Sequence, residues 1–354
     1  MLSHQELDAL RAIGDSEADA VVAELGRDAW VVNAALRHVH RNDEPLPDSL
    51  PELVRRFFQR HAALPRDIEA LRIARAQAFA ERHLLPIMLS LLYASLPTTY
   101  AAARGARVLA ATGRMSGNAL DRRVNETAQF LLDVLVPGSF SPGGYGLRAI
   151  QKVRLMHAAV RAQLSTAGDG NEIAINQEDL LGTLFAFSVV VIRALRRLGI
   201  AVSPEEASDY YELWRITGSL LGIRPRLVPA HFNAASDLSD RIASRHLQAS
   251  DHGRQLMAEL LAGMERHMPL PLQRAPRVLV RHLVGDQLAD ALAIPLDAAA
   301  QAALDVARLL PRGSRADPGV AQRLATRIAK PLLAGVISTK LRGAPPTFAM
   351  STWD

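Results

Sequence analysis

Cysteine is absent from this 354-residue chain. That absence excludes disulfides, thiolate-ligated haem, iron–sulfur clusters and cysteine-based zinc sites. His, Asp, Glu, Lys, Tyr and Met remain as the available metal ligands. Aromatic residues are scarce at 5%, although 49% of the chain is hydrophobic. The core must therefore rest on Ala, Leu and Val, which suits helices packed through small and aliphatic side chains better than a β-rich fold. Long apolar runs are missing too: residues 84–96 and 180–192 stop short of the roughly 20 residues that cross a bilayer, so no transmembrane segment is expected. No basic-then-apolar stretch opens the chain, and the expectation is a cytoplasmic protein without a signal peptide. GxGxxG, P-loop, GxSxG and HExxH motifs do not occur, which leaves dinucleotide, nucleotide, hydrolase and zinc-protease readings without support.

What is present is helical periodicity. The net charge is +5, but the arginines are dispersed along helical faces and no basic block is interleaved with aromatics, so nucleic acid is not an expected partner. Helices are predicted over residues 5–39, from about 50, and over 66–82. An apolar helix over 83–96, interrupted by Pro86, ends at a turn made by Pro97–Thr98–Thr99–Tyr100. Further helices follow at 101–112, 120–136, 147–163 and 178–198, the last closed by Gly199 as C′ residue. Ser203, Pro204 and Glu206 spell an N-cap, first-turn proline and capping box for a helix to about 221. Later helices are predicted at 235–248, 251–266, 275–284, 295–310 and 318–341. The Pro/Gly-rich stretch 137–144 reads as a loop within one domain, because apolar helices flank it. The reading is a single all-α domain over residues 1–354. Its core covers about 84–295, with N-terminal helices (1–83) and C-terminal helices (296–342) packed on it.

Three segments carry candidate chemistry. In Arg123-Val-Asn-Glu126-Thr127, the i, i+3, i+4 spacing puts Arg123, Glu126 and Thr127 on one face of an otherwise apolar helix. The trio is either a surface ion pair or the lining of a pocket. In the segment from Arg148 to Arg161, His157 lies in an apolar stretch, followed by Ala158 and Ala159. A lone helical histidine is commonly a satisfied core residue. Here two small neighbours leave room for a flat macrocycle, and Arg154 and Arg161 at i−3 and i+4 can pair bidentately with carboxylates such as porphyrin propionates. Without a second histidine at i+4, single-histidine haem ligation is favoured over zinc. The third segment has Asn176 as helix cap, Glu178 and Asp179 in the first turn, then Gly182 and Thr183, which allow close approach to a cofactor. The remaining histidines show no ligand spacing.

The segments SLPTTYAAARGARVLAATGRM, RRVNETAQFLLDVL, GLRAIQKVRLMHAAVR, INQEDLLGTLFAFSVVV and YYELWRITGSLLGI, in that order, resemble the latex clearing protein superfamily of haem b oxygenases, which includes fungal MpaB-type oxygenases. The resemblance spans about residues 84–221 and continues more weakly through RVLVRHLVGDQLADALAIP at 277–295. It implies an all-α fold with a globin-like core around one haem b, and His157 as the proximal iron ligand. The family's distal Arg-x-x-Lys-Thr motif falls on Arg123, Glu126 and Thr127. Glu126 stands in place of the lysine, which argues against rubber as substrate. The implied activity is a haem-dependent oxygenase using O2 on a small, hydrophobic, unsaturated substrate. Arg123, Glu126 and Thr127 would be catalytic; His157, Arg154, Arg161 and Thr183 would bind the cofactor. Two other readings stay open: a non-catalytic haem or gas-binding protein using the same pocket, and a helical interaction protein with no cofactor.

Overall fold

Capping residues decide where the chain first becomes helical. Ser3 and Glu6 close a capping box at the start of α1 (His4–Leu10), and the Asp15 side chain accepts from Ala18 N–H to start α2 (Ser16–Leu25). The computed structural model describes residues 2–298 apart from 27–28, 66–67, 112–116, 166–171, 267 and 269. The helices predicted at 295–310 and 318–341 therefore lie almost wholly outside the described residues. Within them follow α3 (Ala29–Leu36), α4 (Glu52–Arg60), α5 (Ala70–Arg82), α6 (Leu84–Ser90), a π turn (Leu91–Ser95), α7 (Leu96–Ala101) and α8 (Ala103–Ala111). The chain continues through α9 (Gly117–Leu135), α10 (Gly146–Ser165), α11 (Gln177–Phe187), α12 (Val189–Arg197) and α13 (Pro204–Leu220). It then forms α14 (Phe232–His246), α15 (Asp251–Arg266), α16 (Ala275–Val284) and α17 (Asp286–Ala291). The fold is all-α: no strand occurs among the described residues, only an isolated bridge between Ala102 and Leu247.

Three apolar clusters organise these helices. The largest joins α1, α5, α6 and α9–α14, with Phe130, Ile150, Leu181, Tyr210 and Trp214 among its buried members. A second gathers α6–α8, the start of α9, α15, α16 and α17 around Tyr93, Tyr100 and Leu256. A third packs α2, α3 and α4 onto Leu155, Ala158 and Ala159 of α10. Helix α10 thus has two apolar faces, and α9 bridges the two larger clusters. Burial of this kind is the dominant favourable contribution to folding, at about 25 cal/mol per Å² of apolar surface.

Several boundaries differ from the sequence reading. Residues 5–39 form three short helices because Asp15 restarts the chain as a cap and Gly26, with φ of +51°, ends α2. The predicted helix 178–198 is broken at Ser188, whose hydroxyl donates to Leu184 O at 2.7 Å and separates α11 from α12. Pro97 does not turn the chain. The π turn before it lets Leu96 N–H bond Leu91 O, five residues back, so the helix carries on to Ala101. As a result residues Leu84–Ala101 reach the length and apolarity of a membrane span, the one such helix among the described residues, and 61% of it is buried inside the protein. The capping box of Ser203 and Glu206, with Pro204 in the first turn, is found as predicted, and Gly199 has the left-handed φ of +81°.

Candidate oxygenase site

Helices α9 and α10 run antiparallel, joined through the loop that contains Gly138, Ser139 and Gly144. Their register is set where Gly146 sits against Asp133: a Cβ added to Gly146 would meet Asp133 O at 3.0 Å. From that contact, Ile150, Val153 and His157 follow along one stripe of α10. Phe130, Glu126 and Arg123 follow along one stripe of α9, each at i+3 or i+4 steps. Phe130 and Ile150 are both buried in the largest cluster, and residues 123–128 are half-buried.

His157, on α10, is half-buried. Its Nδ1 is sealed from solvent and has no hydrogen-bond partner. Burial, reinforced by the nearby Arg161 charge and only partly offset by Asp15, pushes its pKa down to about 4. A neutral imidazole with an unused lone pair suits a metal ligand. Among the described residues no three His, Asp or Glu side chains converge as a metal-binding set.

On α9, Arg123 Nη2 donates to the hydroxyl of the fully buried Tyr100 at 2.8 Å, and its guanidinium carbon lies 5.6 Å from that ring's centroid. Nη1 is buried without a partner. Glu126, one turn on, is half-buried beside it. Arg123 and Glu126 thus share α9, while His157 stands on α10, the helix packed against it.

The other predicted site residues go elsewhere. Thr127 Oγ1 donates to Arg123 O at 2.9 Å, so its proton is spent inside the helix, which argues against the catalytic role that the resemblance implies for it. Arg154 is not free for propionates. It holds Asp15 through Nε–Oδ2 at 2.5 Å and Nη2–Oδ1 at 2.9 Å, Glu17 at 2.9 Å and His61 at 3.0 Å. Arg161 donates to Asp19 at 2.7 Å and to Ile175 O at 3.2 Å, leaving only Nη2 unpaired. Thr183 is exposed and its hydroxyl donates to Asp179 O at 2.9 Å, which removes it from the cofactor-binding set. Ala158 and Ala159 lie on the face of α10 opposite His157, against α2–α4. Their small size serves helix packing and does not make room beside the imidazole. Tyr100 and the π turn were missed by sequence reasoning; the available signal was a proline placed where an apolar helix continues on both sides.

A family profile described as "ER-bound oxygenase mpaB/B'/Rubber oxygenase, catalytic domain" matches residues 81–316. The rubber oxygenase of Streptomyces sp. (strain K30) is 26% identical over 295 residues, covering 80% of this chain and 71% of that protein. A solved structure of latex clearing protein LCP in the closed state superposes with a TM-score of 0.79 at 24% identity, over 91% of this chain and 90% of that one. With two thirds of its length inside the matched profile, this chain is an all-α oxygenase and belongs to the mpaB/rubber oxygenase catalytic-domain family.

Proposed function

We propose that the chain is a haem b-dependent oxygenase in which His157 is the axial iron ligand, with O2 and a small, hydrophobic, unsaturated molecule as substrates. The observation that carries this reading is the buried, unpartnered Nδ1 of His157, whose burial keeps the imidazole neutral, on the helix that the matched family profile spans. Haem, when bound, supplies O2 binding and the electron transfer that amino-acid side chains cannot. The protein's own part is positional and protic. His157 offers Nε2 from a helix fixed on both faces by apolar packing. Phe130, Ile150 and Val153 are buried apolar residues of the same two helices, which would exclude water and suit an apolar substrate. Glu126 would supply the carboxyl that delivers a proton to the reacting oxygen or takes one from the substrate. Arg123 brings the compensating positive charge and an unused N–H. Rubber is not the proposed substrate, because Glu126 replaces the lysine of the motif that the rubber-cleaving enzymes carry.

The direct test is to supply hemin to the purified protein, record its spectrum, and follow O2 uptake with an isoprenoid hydrocarbon such as squalene. A Soret band with substrate-dependent O2 consumption is expected. A colourless protein after hemin addition would remove the cofactor from the proposal; a Soret band with no O2 uptake across a panel of olefins would leave haem binding without the oxygenation assigned to it.

A further inference from the structure

The helix that ends beyond Tyr100 contains the π turn Leu91–Ser95, whose residues are all buried. A π turn holds one residue more than the α register. Everything after it is rotated by about 100° from where an unbroken α-helix would put it. Tyr100 is the polar side chain whose direction this rotation sets. Its backbone is then clamped from outside. Gln248 N–H bonds Ala101 O at 3.0 Å, and α15 comes so close that a Cβ on Gly253 would meet Tyr100 O at 2.4 Å. The hydroxyl, held at the end of a fully buried ring, accepts from Arg123 Nη2 at 2.8 Å. The guanidinium is planar, so fixing Nη2 also fixes where Nη1 points. Nη1 is buried and has nothing to bond to. A sealed, unpaired cationic donor is costly unless a ligand accepts from it.

We propose that Tyr100 is a positioning residue for the oxygenase site: the π turn aims its hydroxyl at Arg123 and holds the guanidinium so that its buried Nη1 presents an N–H to an anionic or negatively polarised ligand. This rests on the haem reading above.

The test uses the hemin-loaded full chain and azide, an anionic iron ligand followed by its spectral shift. Tyr100→Phe removes one oxygen atom and should raise the azide dissociation constant about tenfold, the effect of one charge-assisted hydrogen bond. If Tyr100 acts through Arg123, then Arg123→Met should lose at least as much affinity, and the double variant should lose no more than Arg123→Met alone. Unchanged azide affinity in Tyr100→Phe, or losses that add in the double variant, would overturn the proposal. Should the phenylalanine variant fold poorly, 4-aminophenylalanine at position 100 takes its place. Its ring fills the same space but its amine is a poorer acceptor for Nη2, so weakened azide binding supports the proposal and unchanged affinity in a folded protein counts against it. A wild-type chain that binds no hemin defeats the haem reading, and the positioning claim is then decided in hemin-free protein. There, modification of Arg123 by phenylglyoxal, read by mass spectrometry, should run severalfold faster in Tyr100→Phe. Equal rates would show that Tyr100 does not hold Arg123.

Discussion

Arg154 grips both carboxylate oxygens of Asp15, at 2.5 Å and 2.9 Å, and the two side chains are only 7% and 5% exposed. This buried pair joins the middle of α10 to the first turn of α2 and so fixes the helix that carries His157. Arg154→Ala would leave the Asp15 carboxylate buried and uncompensated, at a cost of about 3–5 kcal/mol. Denaturant unfolding should show that loss, while the fraction that remains folded should bind hemin at the wild-type stoichiometry. Normal stability with lost hemin binding would instead return Arg154 to a propionate-binding role.

Glu178, at the start of α11, is fully buried and meets Arg245 at 2.8 Å, His246 at 2.9 Å and Arg11 at 3.1 Å. Burial alone would raise its pKa. The close His246 imidazole and the hydrogen bonds from Arg245 and Arg11 outweigh that and bring it down from 4.5 to about 2. A depressed carboxylate pKa contributes stability that is complete above the unfolded value and is lost as pH falls through the folded one. Stability should therefore decline between about pH 4.5 and pH 2 by roughly 3 kcal/mol from this group. In Glu178→Gln the acid limb measured by urea titration should flatten, with lower stability at neutral pH. An unaltered acid limb would show that the charge is not held this way.

Ala158 is fully covered where α10 packs on α2. Ala158→Leu should overpack that interface and cost about 1–3 kcal/mol. Because the residue faces away from His157, the spectrum of the hemin-loaded variant should match the wild type. A shifted Soret band at unchanged stability would place Ala158 beside the cofactor.

Signals that act within one turn were legible in the sequence. The Ser203–Pro204–Glu206 start, the Gly199 stop and the Asn176 cap all stand where their local chemistry put them, because a cap depends on neighbours three residues away. His157 and the Arg123–Glu126 face were visible as polar residues on apolar helices, and they stand on α10 and α9 as expected. What failed depended on distant partners. Arg154 looked free because Asp15, its partner, lies 139 residues away in the chain. The alanines after His157 looked like space for a cofactor because nothing local shows which face of α10 receives α2. Pro97 looked like a helix end because the π turn that accommodates it depends on the burial of all five of its residues.

Glu126→Gln keeps the shape of the side chain and removes its acid–base function. Hemin content and stability should match the wild type, while turnover of any olefin found to be oxidised should fall by about 100-fold, the usual scale of a positioned general acid or base. Turnover at the wild-type level would take proton transfer away from Glu126.

The central claim is the bond between His157 and iron, and the most direct measurement is the pyridine haemochrome content of His157→Ala purified beside the wild type after identical hemin loading. The account predicts about one b-type haem per wild-type chain and almost none in a variant whose helical content and thermal unfolding remain cooperative. Equal haem content in the two folded proteins, with unchanged Soret positions, would contradict it.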